Sequence, residues 1–142
     1  MTLKPVMGWL WGVVILWCAC GLLAGICFGS GQGFRKDSRA ASIFRGAPAS
    51  AARLHNPYRG EAKPVMAGKK LFHQHCASCH GENAQGQGKA PPLRSDVIRD
   101  APDGVLFWFL KNGKVRAGMP SWSGLPPQQR WQIVSFLKSL QP

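Results

Sequence analysis

The stretch Cys76-Ala77-Ser78-Cys79-His80 decides how this chain is read. Thiols at i and i+3 lie on one side of a helical turn, so both sulfurs reach one edge of a flat group while the adjoining imidazole projects beneath it. A longer gap would splay the sulfurs apart. This is the spacing at which a haem is fastened through both vinyl groups, with the following His ligating its iron. A zinc half-site, a thioredoxin-like dithiol and a chance pair compete with it. Zinc wants further Cys or His ligands at a second paired spacing, whereas Cys18, Cys20 and Cys27 sit in an apolar run. A dithiol enzyme wants a βαβ context, which is absent.

Upstream, no charged side chain occurs over residues 5–34, and residues 6–28 are almost wholly apolar. Such a run is long enough to cross a bilayer about 30 Å thick as one helix. A cleavable secretory signal carries a shorter apolar core, of about 7 to 15 residues, so a retained anchor over residues 1–30 is the expectation. The alternative is cleavage, leaving a soluble periplasmic protein. Gly8 and Gly12, and Gly21, Gly25 and Gly29, recur at the four-residue spacing that lets membrane helices approach, although glycine is common in such helices anyway. Lys4 precedes the span and Arg35, Lys36 and Arg39 follow it, a count that by itself would place the C-terminal part in the cytoplasm. Covalent haem attachment argues for the opposite face, and the chemistry outranks the statistical rule.

Residues 31–60 are rich in Ala, Ser, Gly and Arg, carry the single Asp37 against six basic side chains, and show little apolar periodicity. They read as a flexible basic tether. A haem domain over residues 61–142 follows. Pro64 suits the first turn of a helix that runs to His75 with Val65, Gly68, Leu71 and Phe72 at three- and four-residue intervals. A second helix is expected from Pro102-Asp103 to Asn112-Gly113, with Leu106, Phe107 and Leu110 inward. A third spans residues 126–140, with Trp131, Val134, Phe136 and Leu137 as its buried stripe. No strand is expected.

The run from Gly68 through Phe72 to Cys76 and His80 resembles the N-terminal helix and haem motif of class I cytochromes c. The resemblance covers residues 64–140. It implies an all-α cytochrome c fold, three main helices around one covalently bound haem c; the apolar run, outside the resemblance, adds one preceding transmembrane helix. It implies that Gly68 permits a close crossing with the C-terminal helix at Ile133, Phe136 and Leu137. Pro91 and Leu93 resemble the family's Pro-x-Leu segment in the haem pocket, whose proline carbonyl accepts the proton of the proximal imidazole. Met119-Pro120 resembles the distal ligand loop, making His80 and Met119 the axial iron ligands and Cys76 and Cys79 the covalent attachment points. Elimination reaches Met119 as well: Met1 and Met7 belong to the membrane end, and Met66 lies on the helix that leads into the motif. The alternatives are a Met119 that only fills a gap in the core, and a two-histidine haem using His55, which would need the tether to fold back.

A thioether opposite an imidazole fills both axial positions, which favours one-electron transfer and leaves no site for a small-molecule substrate. The expected function is that of a membrane-tethered electron carrier and not of an enzyme, in a bacterial respiratory chain or as haem subunit of a dehydrogenase or oxidase complex. The alternative is a haem sensor or peroxidase-like enzyme with a displaceable Met. The domain is expected to face the periplasm from the cytoplasmic membrane. With a formal net charge of +12, and with Lys69, Lys70, Lys89, Lys111, Lys114 and Arg116 flanking the segments that frame the haem, the expected partners are redox proteins with an acidic docking face. No nucleic-acid-binding signature accompanies the charge.

Overall fold

The computed structural model describes residues 42–140, which lie in one compact unit of the chain. Its helices are α1 (Ala62–His75), α2 (Ala77–His80), α3 (Asp96–Asp100), α4 (Asp103–Asn112) and α5 (Pro127–Ser139), with single 3-10 turns at Ala51–Arg53 and Val115–Ala117. Among the described residues β structure is limited to two isolated bridges, Gln87 with Ala90 and Lys114 with Met119.

The crossing of α1 over α5 organises the rest. Pro64, Gly68 and Phe72 recur every four residues on α1 and are its buried face. On α5 the buried face is Arg130, Ile133, Val134, Ser135, Phe136 and Leu137. The helices touch at Gly68, where a Cβ would stand 1.9 Å from the Gln132 carbonyl oxygen and 3.0 Å from Phe136 Cβ. Only a residue without a side chain permits that approach. One turn on, Phe72, with 0% of its surface exposed, meets Phe136 at 5.2 Å between ring centroids. The crossing expected of Gly68, Ile133, Phe136 and Leu137 is thus present.

Helix α4 buries Val105, Leu106 and Leu110 and stops at Gly113, whose φ of 70° suits glycine. A Cβ there would also strike the Pro120 backbone at 2.6 Å, so this glycine lets the Met119-Pro120 segment fold back on the helix end. Helix α3 was not foreseen. Ser95 caps it by accepting from the Ile98 N–H, and Ile98 is its only buried residue.

The expectation that residues 31–60 form a flexible tether needs correction at its C-terminal end. Ala51 is buried and its carbonyl lies against Gly104 of α4. Asn56 is buried and donates from Nδ2 to Ser135 Oγ at 2.9 Å and to the Trp131 carbonyl at 3.4 Å. Arg59 reaches the buried Asp103 carboxylate at 2.7 Å, and Lys138 approaches the same carboxylate at 3.5 Å. Residues 51–60 are therefore part of the helical domain, because isolated polar anchors replace the apolar periodicity that would have marked an ordered segment. No helix among the described residues is long and apolar enough to cross a membrane. The span expected over residues 6–28 lies outside the described residues.

Candidate haem site

The attachment sequence sits at the end of α1. Cys76 N–H closes that helix on Phe72 O at 2.8 Å, and His80 N–H returns to Cys76 O at 2.9 Å, so Cys76 starts one extra turn, α2, over the four residues that follow it. Gly81, at φ 79°, ends it and starts a loop that doubles back under the imidazole. The loop is fixed by Gly86 N–H to His80 O at 2.8 Å. Its return strand is fixed by the N–H groups of Leu93 and Arg94, which share the carbonyl of the buried Ala84 at 2.8 and 3.1 Å.

This path brings Pro91 O to 2.9 Å from His80 Nδ1. A carbonyl oxygen only accepts, so Nδ1 carries a proton, and in the neutral ring Nε2 keeps its lone pair. The imidazole is therefore in the tautomer and orientation needed to ligate a metal through Nε2. Cys76 and Cys79 are free thiols, the first half-buried and the second exposed. Burial, and secondarily the neighbouring Cys79, push the Cys76 thiol up to about 11. That is opposite to the lowered thiol pKa of a dithiol redox enzyme. Among the described residues no three His, Cys, Asp or Glu side chains cluster as a metal-ion site, so the pair lacks the further donors of tetrahedral zinc. Two free thiols, a pre-oriented imidazole and an apolar surround fit a covalently attached haem.

Met119 lies in a tight hairpin after α4. Its N–H and C=O pair with Lys114 at 3.3 and 2.9 Å, and Trp122 N–H binds Leu110 O at 2.9 Å. Ser121 Oγ donates to Lys111 O at 2.6 Å. Met119, Cys76, Leu93, Trp122 and Leu125 are half-buried and pack against one core that includes Phe72, Leu106 and Leu110. The attachment end and the Met119 segment meet directly where the His75 ring lies 5.1 Å from Trp122. His75 is half-buried in that contact. His73 is exposed and paired with Glu82 at 2.6 Å, and Met66 is exposed on the outside of α1. Sequence reasoning missed Arg130, a buried cation on the inner face of α5. A signal was available: 130, 133, 134 and 137 share a helical face, so a charge at 130 falls in the apolar stripe.

The family described as cytochrome C oxidase, cbb3-type, subunit III, matches residues 63–137, just over half of the chain. A quinohemoprotein alcohol dehydrogenase, ADH IIB, of Pseudomonas putida is 33% identical over 66% of this chain and 14% of its own length. Cytochrome c550 of Pseudomonas aeruginosa is 35% identical over 59% of this chain and 61% of its own length. The cbb3-type cytochrome c oxidase subunit FixP of a Bradyrhizobium species is 35% identical over 54% and 27%. The chain thus spans less than two thirds of each of these relatives. The crystal structure of cytochrome cL from Methylophaga aminisulfidivorans superposes with a TM-score of 0.55 over 68% of this chain and 69% of that one, at 24% identity, a likeness of fold. The chain belongs to the cytochrome c family described by cbb3-type oxidase subunit III, and its cofactor is covalently bound haem c.

Proposed function

We propose that this chain is a one-electron carrier in which Cys76 and Cys79 form the thioether links and His80 and Met119 are the axial ligands. The observation that carries the reading is the 2.9 Å contact from His80 Nδ1 to Pro91 O, which leaves Nε2 as the ligating atom. The haem supplies an iron centre that changes charge by one electron. The protein holds His80 by the 81–93 loop, holds Met119 by its ladder to Lys114, and limits water with Leu93, Leu106, Leu110 and Trp122. Pro91 and Leu93 belong to the pocket in this reading, Pro91 through its carbonyl and Leu93 through its apolar side chain.

Docking to redox partners is assigned to the surface beside Met119. Arg45, Lys114 and Arg116 line a surface cleft of about 600 Å³ with Ser42 and Val115, and Val115 is 71% exposed. An apolar tip ringed by cations suits a partner with an acidic rim, and association would slow as salt rises. Relatives named as oxidase subunits and quinohemoprotein dehydrogenases support a partner among respiratory oxidoreductases. An apolar run over residues 6–28 supports membrane attachment, and covalent haem attachment supports the periplasmic side for the haem domain.

Absorption spectroscopy tests the ligand set. The oxidised protein should show the weak sulfur-to-iron band near the red end, and the reduced protein should not change on adding carbon monoxide. Met119→Ala should abolish the band and admit carbon monoxide. An unchanged spectrum in that variant removes Met119 from the site, and ready carbon monoxide binding by the fresh wild type favours a ligand-sensing role over a carrier.

A further inference from the structure

Arg130 stands where the apolar stripe of α5 calls for a hydrocarbon side chain, flanked one turn on by Ile133 and Val134, which are 1% and 0% exposed. It is itself 5% exposed, its Nε has no hydrogen-bond partner, and no carboxylate pairs with it among the described residues. A buried cation without a counter-ion is costly, so its remaining contacts carry the explanation. Nη1 donates to Ser123 O at 3.1 Å and reaches Trp122 O at 3.4 Å, and the guanidinium lies 5.0 Å over the Phe107 ring. Phe107 in turn stacks on Trp131 at 4.1 Å.

The consequence lies in how the Met119 segment is fastened. From Met119 to Trp122 it is tied to the end of α4 and the residues just beyond, through Lys114, Lys111 O and Leu110 O. Its return toward α5 is tied by Arg130. The same clamp fixes the backbone beneath Trp122, whose ring rests on His75 at the attachment end. We infer that Arg130 is a positioning residue for iron ligation: by gripping the Trp122 and Ser123 carbonyls it keeps the Met119 segment seated, so that the thioether stays bound against competing ligands. The inference rests on Met119 being the ligand.

Imidazole binding to the oxidised holoprotein tests it. Imidazole enters only when the thioether is off the iron, so its apparent Kd falls in proportion as the Met-off state becomes more populated. Arg130→Met removes the donors while keeping the bulk, and should tighten imidazole binding about tenfold and weaken the red-end band. Arg130→Lys, which keeps a charged donor, should stay within about threefold of wild type. Val134→Ala serves as the structural control, expected to lower the melting temperature with no change in imidazole Kd. If Arg130→Met melts earlier yet binds imidazole as wild type does, Arg130 is only packing and the inference fails. Should Arg130→Met not accumulate, Arg130→Gln is read the same way, with a threefold tightening or more supporting the clamp and none overturning it. Met119→Ala separates the two claims: loss of the band in that variant, with unaltered Kd in the Arg130 series, sinks the clamp and leaves the ligand assignment standing.

Discussion

Gly68→Ala sets the helix crossing against a single opposing term, the higher helix propensity of alanine. The new methyl would lie 1.9 Å from Gln132 O and 2.5 Å from Gln132 C, both backbone atoms of a helix that cannot rotate away. A carbon and a carbonyl oxygen rest at about 3.3 Å, so α1 and α5 would have to part by about 1.4 Å. Phe72, Ile133 and Val134 are fully buried beside this contact and would lose packing as the gap opens. Overpacking of this kind costs up to about 3 kcal/mol. Alanine in a helix interior returns about 1 kcal/mol relative to glycine. The net loss is about 2 kcal/mol, or about 8–16 °C in Tm for a domain of this size. Thermal unfolding of the reduced holoprotein, followed by circular dichroism, measures it. Gly124→Ala, in a turn where nothing lies within 4 Å, controls for the steric term alone and should change stability by no more than about 1 kcal/mol. If Gly68→Ala were as stable as wild type or more so, propensity alone would govern the site and the crossing argument would be wrong.

Other consequences concern the polar anchors. Asn56→Ala removes the donor to Ser135 Oγ, while the Trp131 carbonyl keeps the Ser135 hydroxyl as a donor, and should cost about 1 kcal/mol by urea unfolding; no loss would return residues 51–60 to the status of a tether. Asp103→Asn strips the charge opposite Lys138 and Arg59. Because Arg59 is 73% exposed, the expected cost is about 2–3 kcal/mol, below that of a fully buried pair. Lys138 titrates below its ordinary 10.5, chiefly because burial disfavours its charge, with Asp103 opposing that effect. The unfolded chain then holds more protons than the folded one from that lowered pKa up to 10.5, so the Lys138 contribution to stability rises with pH across this window. The stability of wild type minus that of Lys138→Met should climb there, and a flat or falling difference would reverse the sign assigned to burial.

Much of the architecture was legible because its signals are local. The three long helices follow from Pro64 and the Pro126-Pro127 start, where proline fixes the backbone of a first turn, and from Gly113, which takes the positive φ that ends a helix. The attachment motif needs only five consecutive residues. The Gly68 crossing was reached through resemblance, since one glycine in a helix says nothing about what packs on it. Contacts between distant polar residues were not legible. Asn56 with Ser135 and Arg59 with Asp103 join segments 79 and 44 residues apart without any repeating pattern. Helix α3 escaped because five residues are too few to establish a period, although Ser95 before Asp96 is a capping signal. Arg130 escaped because charged residues are expected outside, and only its place in the stripe marks it.

Intact-mass measurement after acid-acetone extraction tests the central claim most directly. The account predicts a polypeptide that stays coloured and carries the mass of one haem, with the adduct lost when Cys76 and Cys79 are both replaced by serine. A colourless chain at the unmodified mass, with all pigment in the solvent, would contradict it.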